Sequence, residues 1–227
     1  QGYEDLKLFL KKEINNYSGL NITLPYKIDV YNYINKHDKF SSAIQAVNCI
    51  KNVNNQLVGY NTDYYGFTKM LNGIDVDRSD ILILGNGGAA RTAVYSLSDY
   101  SSSNIYIWGR NKQNVETFIK NINSEQVKQY SKSLNKSYII INCLPLILDK
   151  STIDMIINDI LPEKFELFID LNYLETIFSK KLIDKKYNVI LGLDMFIFQA
   201  LKSFDIWFDN KYHDMITYEE IKNLLSK

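Results

Sequence analysis

The residues best equipped for chemistry begin with Lys27, which follows Gly19-Leu-Asn21-Ile-Thr23-Leu-Pro25-Tyr. Ala46-Val-Asn48 and Gly59-Tyr-Asn61-Thr62-Asp63 come next along the chain. A lysine can give and take a proton, and a carboxylate can orient it. Two side-chain amides beside that pair offer both donors and acceptors, a set suited to a polyhydroxylated substrate. The same residue types also allow a plainer arrangement. Lys27 can be an exposed cation in a weak ion pair with Asp63, and Asn48 and Asn61 can cap the ends of a hairpin through nearby backbone.

A second set is Gly85-Asn-Gly87-Gly88-Ala89-Ala90-Arg91, which directly follows the apolar run Asp80-Ile-Leu-Ile-Leu84 and leads into a helix-like stretch to Leu97. Strand, glycine turn and helix in this order form the dinucleotide-binding fingerprint. Gly85 makes the tight turn, Gly87 lets backbone amides approach a pyrophosphate, and Ala90 permits close packing of helix on strand. The phosphates then lie at a helix N-terminus, where free amides and the dipole favour anions. A glycine turn that only joins strand to helix has the same local pattern. Roughly 20 residues beyond the glycines, NAD-binding chains place an acidic residue on the ribose. Here Trp108-Gly109-Arg110-Asn111-Lys112 contains no carboxylate. Arg110 and its neighbours match the 2′-phosphate of NADP instead, the alternative being a solvated surface charge.

These residues must be positioned by the surrounding elements. Apolar spacing over Leu6, Leu8, Phe9, Leu10 and Ile14 predicts a helix from Tyr3 to Ile14, followed by a short strand over Leu20–Leu24. Two β-rich runs flank Asn54-Asn55 between Val47 and Tyr60, which predicts a hairpin, and Thr62-Asp63 starts the next helix. Short apolar runs at 81–84, 105–108, 138–141 and 167–171, three of them separated by plausible helices, predict a parallel sheet with crossover helices. Met195–Phe208 reads as a buried helix and Ile216–Leu225 as an amphipathic one. Met195, Phe196, Phe198, Phe204 and Trp207 read as core. Gln199, an amide in that apolar stretch, must find a partner.

Composition bounds the remaining classes. The chain has 227 residues, and 26 basic side chains balance 26 acidic ones, so no net charge draws it to nucleic acid or an anionic membrane. Cys49 and Cys143 are too far apart in sequence for a C-x-x-C or zinc pattern. A metal-free protein in a reducing, cytoplasmic setting is expected, and no apolar run approaches the roughly 18 residues of a membrane span. His37 and His213 have no evident partners and read as surface or structural residues.

In this order, the segments around Lys27, Asn48 and Asn61–Asp63, placed ahead of the glycine turn, resemble the signature of the shikimate/quinate dehydrogenase family. Asn142 with Pro145 is similar to the family's Asn-x-Thr-Pro loop. Asp170-Leu-Asn-Tyr173 is similar to its Asp-x-x-Tyr segment, and Gly192-Leu-Asp-Met195-Phe-Ile-Phe-Gln199-Ala200 to its Gly-x-x-Met-Leu-x-x-Gln-Ala helix. The likeness runs from about residue 19 to 208. It implies an α/β fold with a Rossmann-like parallel-sheet cofactor domain, a smaller α/β substrate domain and an active site in the cleft between them. The implied division is 1–63 substrate domain, 64–191 NADP-binding domain and 192–227 C-terminal helices returning to the substrate domain.

The implied activity is reversible NADPH-dependent reduction of 3-dehydroshikimate to shikimate, in aromatic amino acid and chorismate biosynthesis. Lys27 and Asp63 become the catalytic pair. Thr23, Asn48, Asn61, Tyr173 and Gln199 become substrate-binding, and Gly85, Gly87, Gly88, Ala89, Arg110, Asn111, Gly192 and Met195 cofactor-binding. The resemblance implies NADP(H) as cofactor, a small-molecule substrate, no nucleic-acid or membrane partner, and a monomer or homodimer. A quinate or aminoshikimate dehydrogenase and a non-catalytic nucleotide-binding relative are the other readings.

The chain departs from the family pattern in several places. Family members begin with a Ser-x-Ser segment that holds the substrate carboxylate, and none precedes Lys27 here. The expectation is a truncated first half of the substrate domain, since the chain opens on Gln1 rather than Met. Gln45 replaces a usual glycine, Asn86 an alanine, and Cys143-Leu144 interrupts the Asn-x-Thr-Pro loop, which continues as Leu146-Ile147 instead of Gly-Met. Gly109-Arg110-Asn111 stands for Asn-Arg-Thr, which keeps the arginine and loses a hydroxyl.

Overall fold

The computed structural model describes residues 3–12, 14–77, 79–98, 104–132 and 138–225. They fall into two compact units. One comprises Gln1–Met70, Arg91–Ser96 and Met195–Lys227, and the other Leu71–Ala90 and Leu97–Asp194.

In the first unit, helix α1 (Tyr3–Lys12) and a 3₁₀ turn (Ile14–Asn16) place Leu10 and Ile14 in a core with Val30, Ile34, Val47 and Ile50. Leu8, counted on the same face in the sequence, is half exposed instead, and Glu13 lies outside the described residues. Strand β1 (Gly19–Asn21) is followed by a turn in which the Tyr26 amide donates to the Thr23 carbonyl, and then by α2 (Lys27–Tyr33). Lys27 therefore opens a helix, beyond the strand and its turn. Strand β2 (Lys36–His37) and α3 (Lys39–Ile44) precede the hairpin β3 (Cys49–Val53) and β4 (Gln56–Tyr60). At the hairpin tip, Asn54 and Asn55 take φ of 51° and 64°, the left-handed pair a two-residue turn demands. The sheet order is β1-β3-β4-β2. Helix α4 (Thr62–Met70) starts directly after β4, capped by Asn61, whose Oδ1 accepts from the Tyr64 amide at 3.1 Å.

The second unit is built on β5 (Asp80–Leu84), β6 (Ile105–Trp108), β7 (Val127–Gln129), β8 (Tyr138–Asn142), β9 (Leu167–Asp170) and β10 (Val189–Leu191). All pairings are parallel, in the order β10-β9-β8-β5-β6-β7. Its connections include α5 (Gly88–Leu97), whose Arg91–Ser96 group with the first unit, and α6 (Lys112–Ile122). They also include α7 (Lys150–Met155), continued by a π-helical turn over Ile156–Ile160, and α8 (Ile177–Asp184). The central strands β5 and β8 are apolar and buried on both faces, as helices on either side of a parallel sheet require. Leu82, Leu84, Ile140, Phe168 and Phe178 form the centre of that core. The order reverses direction at β5 and β8, and open α/β sheets bind ligands beyond the carboxyl ends of the strands at such a switch point.

Helix α9 (Leu193–Trp207) carries the chain back into the first unit, and α10 (Tyr218–Leu225) follows. Met195 and Ile197 of α9 are buried, whereas Phe196 is 37% exposed and so stands outside the expected core. Among the described residues no helix is long and apolar enough to cross a membrane.

Candidate active site

Asn48 is held by its backbone from two sides. Its carbonyl accepts from the Ile22 amide at 2.7 Å and its amide donates to the Tyr60 carbonyl at 3.1 Å. This fixes the side chain at the start of α4, where Oδ1 accepts from the Thr62 amide at 2.6 Å. Nδ2 then donates to Asp63 Oδ1 and to Thr62 Oγ1, both at 2.9 Å, and reaches Gln199 Oε1 at 3.4 Å. The other carboxylate oxygen, Asp63 Oδ2, lies 2.5 Å from Lys27 Nζ. The Lys27 side chain is 18% exposed and that of Asp63 8%, so the ammonium is the open end of the pair.

Gln199 projects from α9 into the same group. Its Oε1 accepts from Thr62 Oγ1 at 3.4 Å, and its Nε2 donates to the Phe196 carbonyl at 3.0 Å. Lys27, Asn48, Asp63 and Gln199 thus form one hydrogen-bonded constellation within the first unit. Asn61 sits beside it in a different role. Besides capping α4, it donates through Nδ2 to the Ala46 carbonyl at 3.0 Å and to Thr92 Oγ1 at 3.3 Å. Thr23 is exposed on the turn before Lys27.

Two hydroxyls of this network have no role in the site on sequence grounds. Thr62 bonds Ser203 Oγ at 3.0 Å, and both are essentially inaccessible. Ser203 lies one helical turn beyond Gln199 and donates to its carbonyl, and that spacing was the only sequence signal for it. Cys49, buried behind them with hydrogen bonds to Ser203 and Trp207, has its thiol pushed up to about 12 by desolvation. His213 does have a partner: Nδ1 lies 2.9 Å from both carboxylate oxygens of Asp205.

In the second unit, the turn after β5 begins where the Gly85 amide donates to the Trp108 carbonyl at 2.7 Å. Gly85 has φ of 113°, and a Cβ there would meet the Cys143 carbonyl at 3.2 Å. A Cβ on Gly87 would meet nothing within 4 Å, so the backbone there borders open space. Gly88 and Ala89 form the first turn of α5, directly after Gly87. Arg110 is exposed, and Asn111 caps α6 by accepting from the Asn114 amide at 3.1 Å. A Cβ on Gly192 would lie 2.4 Å from the Leu171 carbonyl, so that glycine serves backbone packing. Tyr173, 42% exposed, lies on the segment after β9. An open backbone cradle at a helix N-terminus, with an exposed arginine at the end of the neighbouring strand, fits a phosphorylated dinucleotide. Among the described residues no cluster could hold a metal ion.

Fold and site define an α/β oxidoreductase of two units, one of them Rossmann-like. Residues 3–50 match the family model described as the shikimate dehydrogenase substrate binding domain. The chain is 34% identical over 214 residues to the shikimate dehydrogenase (NADP(+)) of Clostridium beijerinckii, covering 90% of this chain and 78% of that one. It is 32% identical over 213 residues to the enzyme of the same name from Clostridium perfringens, with the same coverage. The crystal structure of shikimate dehydrogenase 1 from Peptoclostridium difficile is similar with a TM-score of 0.77 at 28% identity, covering 97% of this chain and 80% of that one. The chain belongs to the shikimate/quinate dehydrogenase family.

Proposed function

We propose that this protein catalyses the reversible NADPH-dependent reduction of 3-dehydroshikimate to shikimate. The observation that carries the reading is the Lys27–Asp63 pair, tied through Asn48 to Gln199 in one network. NADPH, when bound, supplies the hydride. The carbonyl oxygen that becomes an alkoxide needs a proton donor within hydrogen-bond reach, and Lys27 Nζ is that donor; in the reverse direction it takes the proton back. Asp63 orients the ammonium through its 2.5 Å contact. Asn48, Asn61, Thr23 and Gln199 bind the substrate hydroxyls, with Tyr173 beside substrate and nicotinamide. For Asn61 this means sharing atoms already bonded to backbone.

Residues 1–63 and 192–227 act as the substrate domain and 64–191 as the cofactor domain. Amides at Gly85, Gly87, Gly88 and Ala89 hold the pyrophosphate, Arg110 and Asn111 the 2′-phosphate, and Gly192 and Met195 the nicotinamide end. The protein acts in the cytoplasm as a monomer or homodimer, a state that gel filtration measures directly. The test of activity is NADPH absorbance with 3-dehydroshikimate, and NADP⁺ reduction with shikimate and with quinate. Turnover of shikimate well above quinate supports the proposal, and no turnover with any of them refutes it.

A further inference from the structure

Asn142 and Asp170 are the last residues of β8 and β9 and are register partners across the pair. Their exposures are 1% and 0%. Asp170 Oδ1 accepts from Asn142 Nδ2 at 3.0 Å, the Asn172 amide at 3.1 Å and Asn172 Nδ2 at 2.8 Å, while Oδ2 accepts from Thr176 Oγ1 at 3.3 Å. Among the described residues no cation is paired with this carboxylate. Its burial pushes its pKa up, against the hydrogen bonds that hold it down. A buried carboxylate that is hydrogen-bonded but has no cation beside it is still costly, and an apolar side chain would give a stable strand end more cheaply.

What Asp170 holds accounts for that cost. Through Asn142, whose Oδ1 accepts from the Leu144 amide at 3.2 Å, it fixes the segment after β8. Through Asn172, whose Nδ2 also donates to the Leu144 carbonyl at 3.3 Å, it fixes the segment after β9. The Asn172 carbonyl in turn accepts from the Gly192 amide at 3.0 Å, which ties in the segment after β10. A cavity of about 130 Å³ lined by Asn142, Leu146, Ile147, Asn172 and Thr176 leaves these segments without dense packing on one side. Hydrogen bonds therefore share the positioning with packing, Leu144 and Leu148 resting on the core and Gly192 against the Leu171 carbonyl.

We infer that Asp170 is a positioning residue for hydride transfer, acting by fixing the backbone that carries Tyr173 to the carboxyl ends of β8, β9 and β10. The inference rests on the dehydrogenase reading above. Its test compares wild type, Asp170→Asn, Tyr173→Phe and the double variant, with Asn172→Ala as a second way to loosen the same junction. Asp170→Asn keeps the size of the side chain and removes its charge. The expected result is a kcat about 10- to 100-fold lower for Asp170→Asn and for Asn172→Ala, the effect of a small misplacement at a reacting centre. NADPH affinity by calorimetry and the melting temperature should stay near wild type. Adding Tyr173→Phe to Asp170→Asn should cost less than the product of the single effects, because both act through one side chain. A wild-type kcat in Asp170→Asn, a loss explained by unfolded protein alone, or a multiplicative double variant overturns the inference. A wild type that turns over nothing sinks the dehydrogenase reading and this inference with it. A wild type that turns over beside an unimpaired Asp170→Asn sinks only the inference.

Discussion

Lys27 Nζ stands 2.5 Å from Asp63 Oδ2, and the other oxygen of that carboxylate accepts from Asn48 Nδ2 at 2.9 Å. The carboxylate is held at both ends, so it cannot rotate without losing a bond, and the ammonium keeps one direction. Lys27 is the first residue of α2 and Asp63 the second of α4, so both groups sit on first-turn positions.

Replacing Lys27 with methionine should lower kcat by about 10²- to 10⁴-fold, the usual worth of a positioned acid–base group. The same change leaves Asp63 buried without its cation, which costs up to about 3 kcal/mol of stability. The double variant Lys27→Met/Asp63→Asn should recover the melting temperature and stay inactive. Recovery of activity in the double variant would remove Lys27 from the proton path.

The glycine turn separates folding from binding. At Gly85 an alanine meets a positive φ and the Cys143 carbonyl, so Gly85→Ala should lose upwards of about 1 kcal/mol in urea unfolding. At Gly87 the added methyl meets no protein atom. Gly87→Ala should unfold like wild type, yet raise the KM for NADPH about tenfold, equivalent to about 1.4 kcal/mol of lost phosphate contact. An unchanged KM would place the pyrophosphate elsewhere.

Arg110→Ser should raise the KM for NADPH about tenfold and leave that for NADH nearly unchanged, since a charge-assisted bond to phosphate is worth about 1.5–3 kcal/mol. Equal effects on both cofactors would assign Arg110 to a site other than the 2′-phosphate.

The His213–Asp205 contact gives a pH signature. The hydrogen bond to Asp205 and its charge raise the His213 pKa above the ordinary 6.5. A folded value above the unfolded one means that the contribution is fully present below about pH 6.5 and is lost as pH rises through the raised folded value. Melting temperatures of wild type and His213→Gln should therefore differ in mild acid and converge in alkali. His213 is 63% exposed, so the difference is small. A gap that widens with rising pH would contradict the pairing.

Parts of the fold were readable because the signal is local. The run Asp80–Leu84 followed by Gly85 encodes a buried strand and its turn within one short segment, and Asn54-Asn55 encodes the hairpin because few other residues accept two successive positive φ angles. Apart from β1, which overlaps the strand expected over Leu20–Leu24, the shortest elements were not readable. Strands of two or three residues, such as β2, β7 and β10, and helices of six or seven, such as α2 and α3, contain too little of a period for an apolar pattern to register.

By itself, the sequence determined which groups were available: Lys27, Asp63, two amides, a glycine turn and an arginine where NAD-binding chains carry an acid. Only the tertiary structure decided how they combine. It made Asn61 a helix cap and Asn48 the bridge to Asp63, although both are the same residue type flanking one hairpin. It also joined Thr62 to Ser203, 141 positions away, and tied the ends of β8 and β9 together on Asp170. The reason is physical: backbone conformation depends on near neighbours, whereas a hydrogen bond depends on distance and direction between groups that only the folded chain brings together.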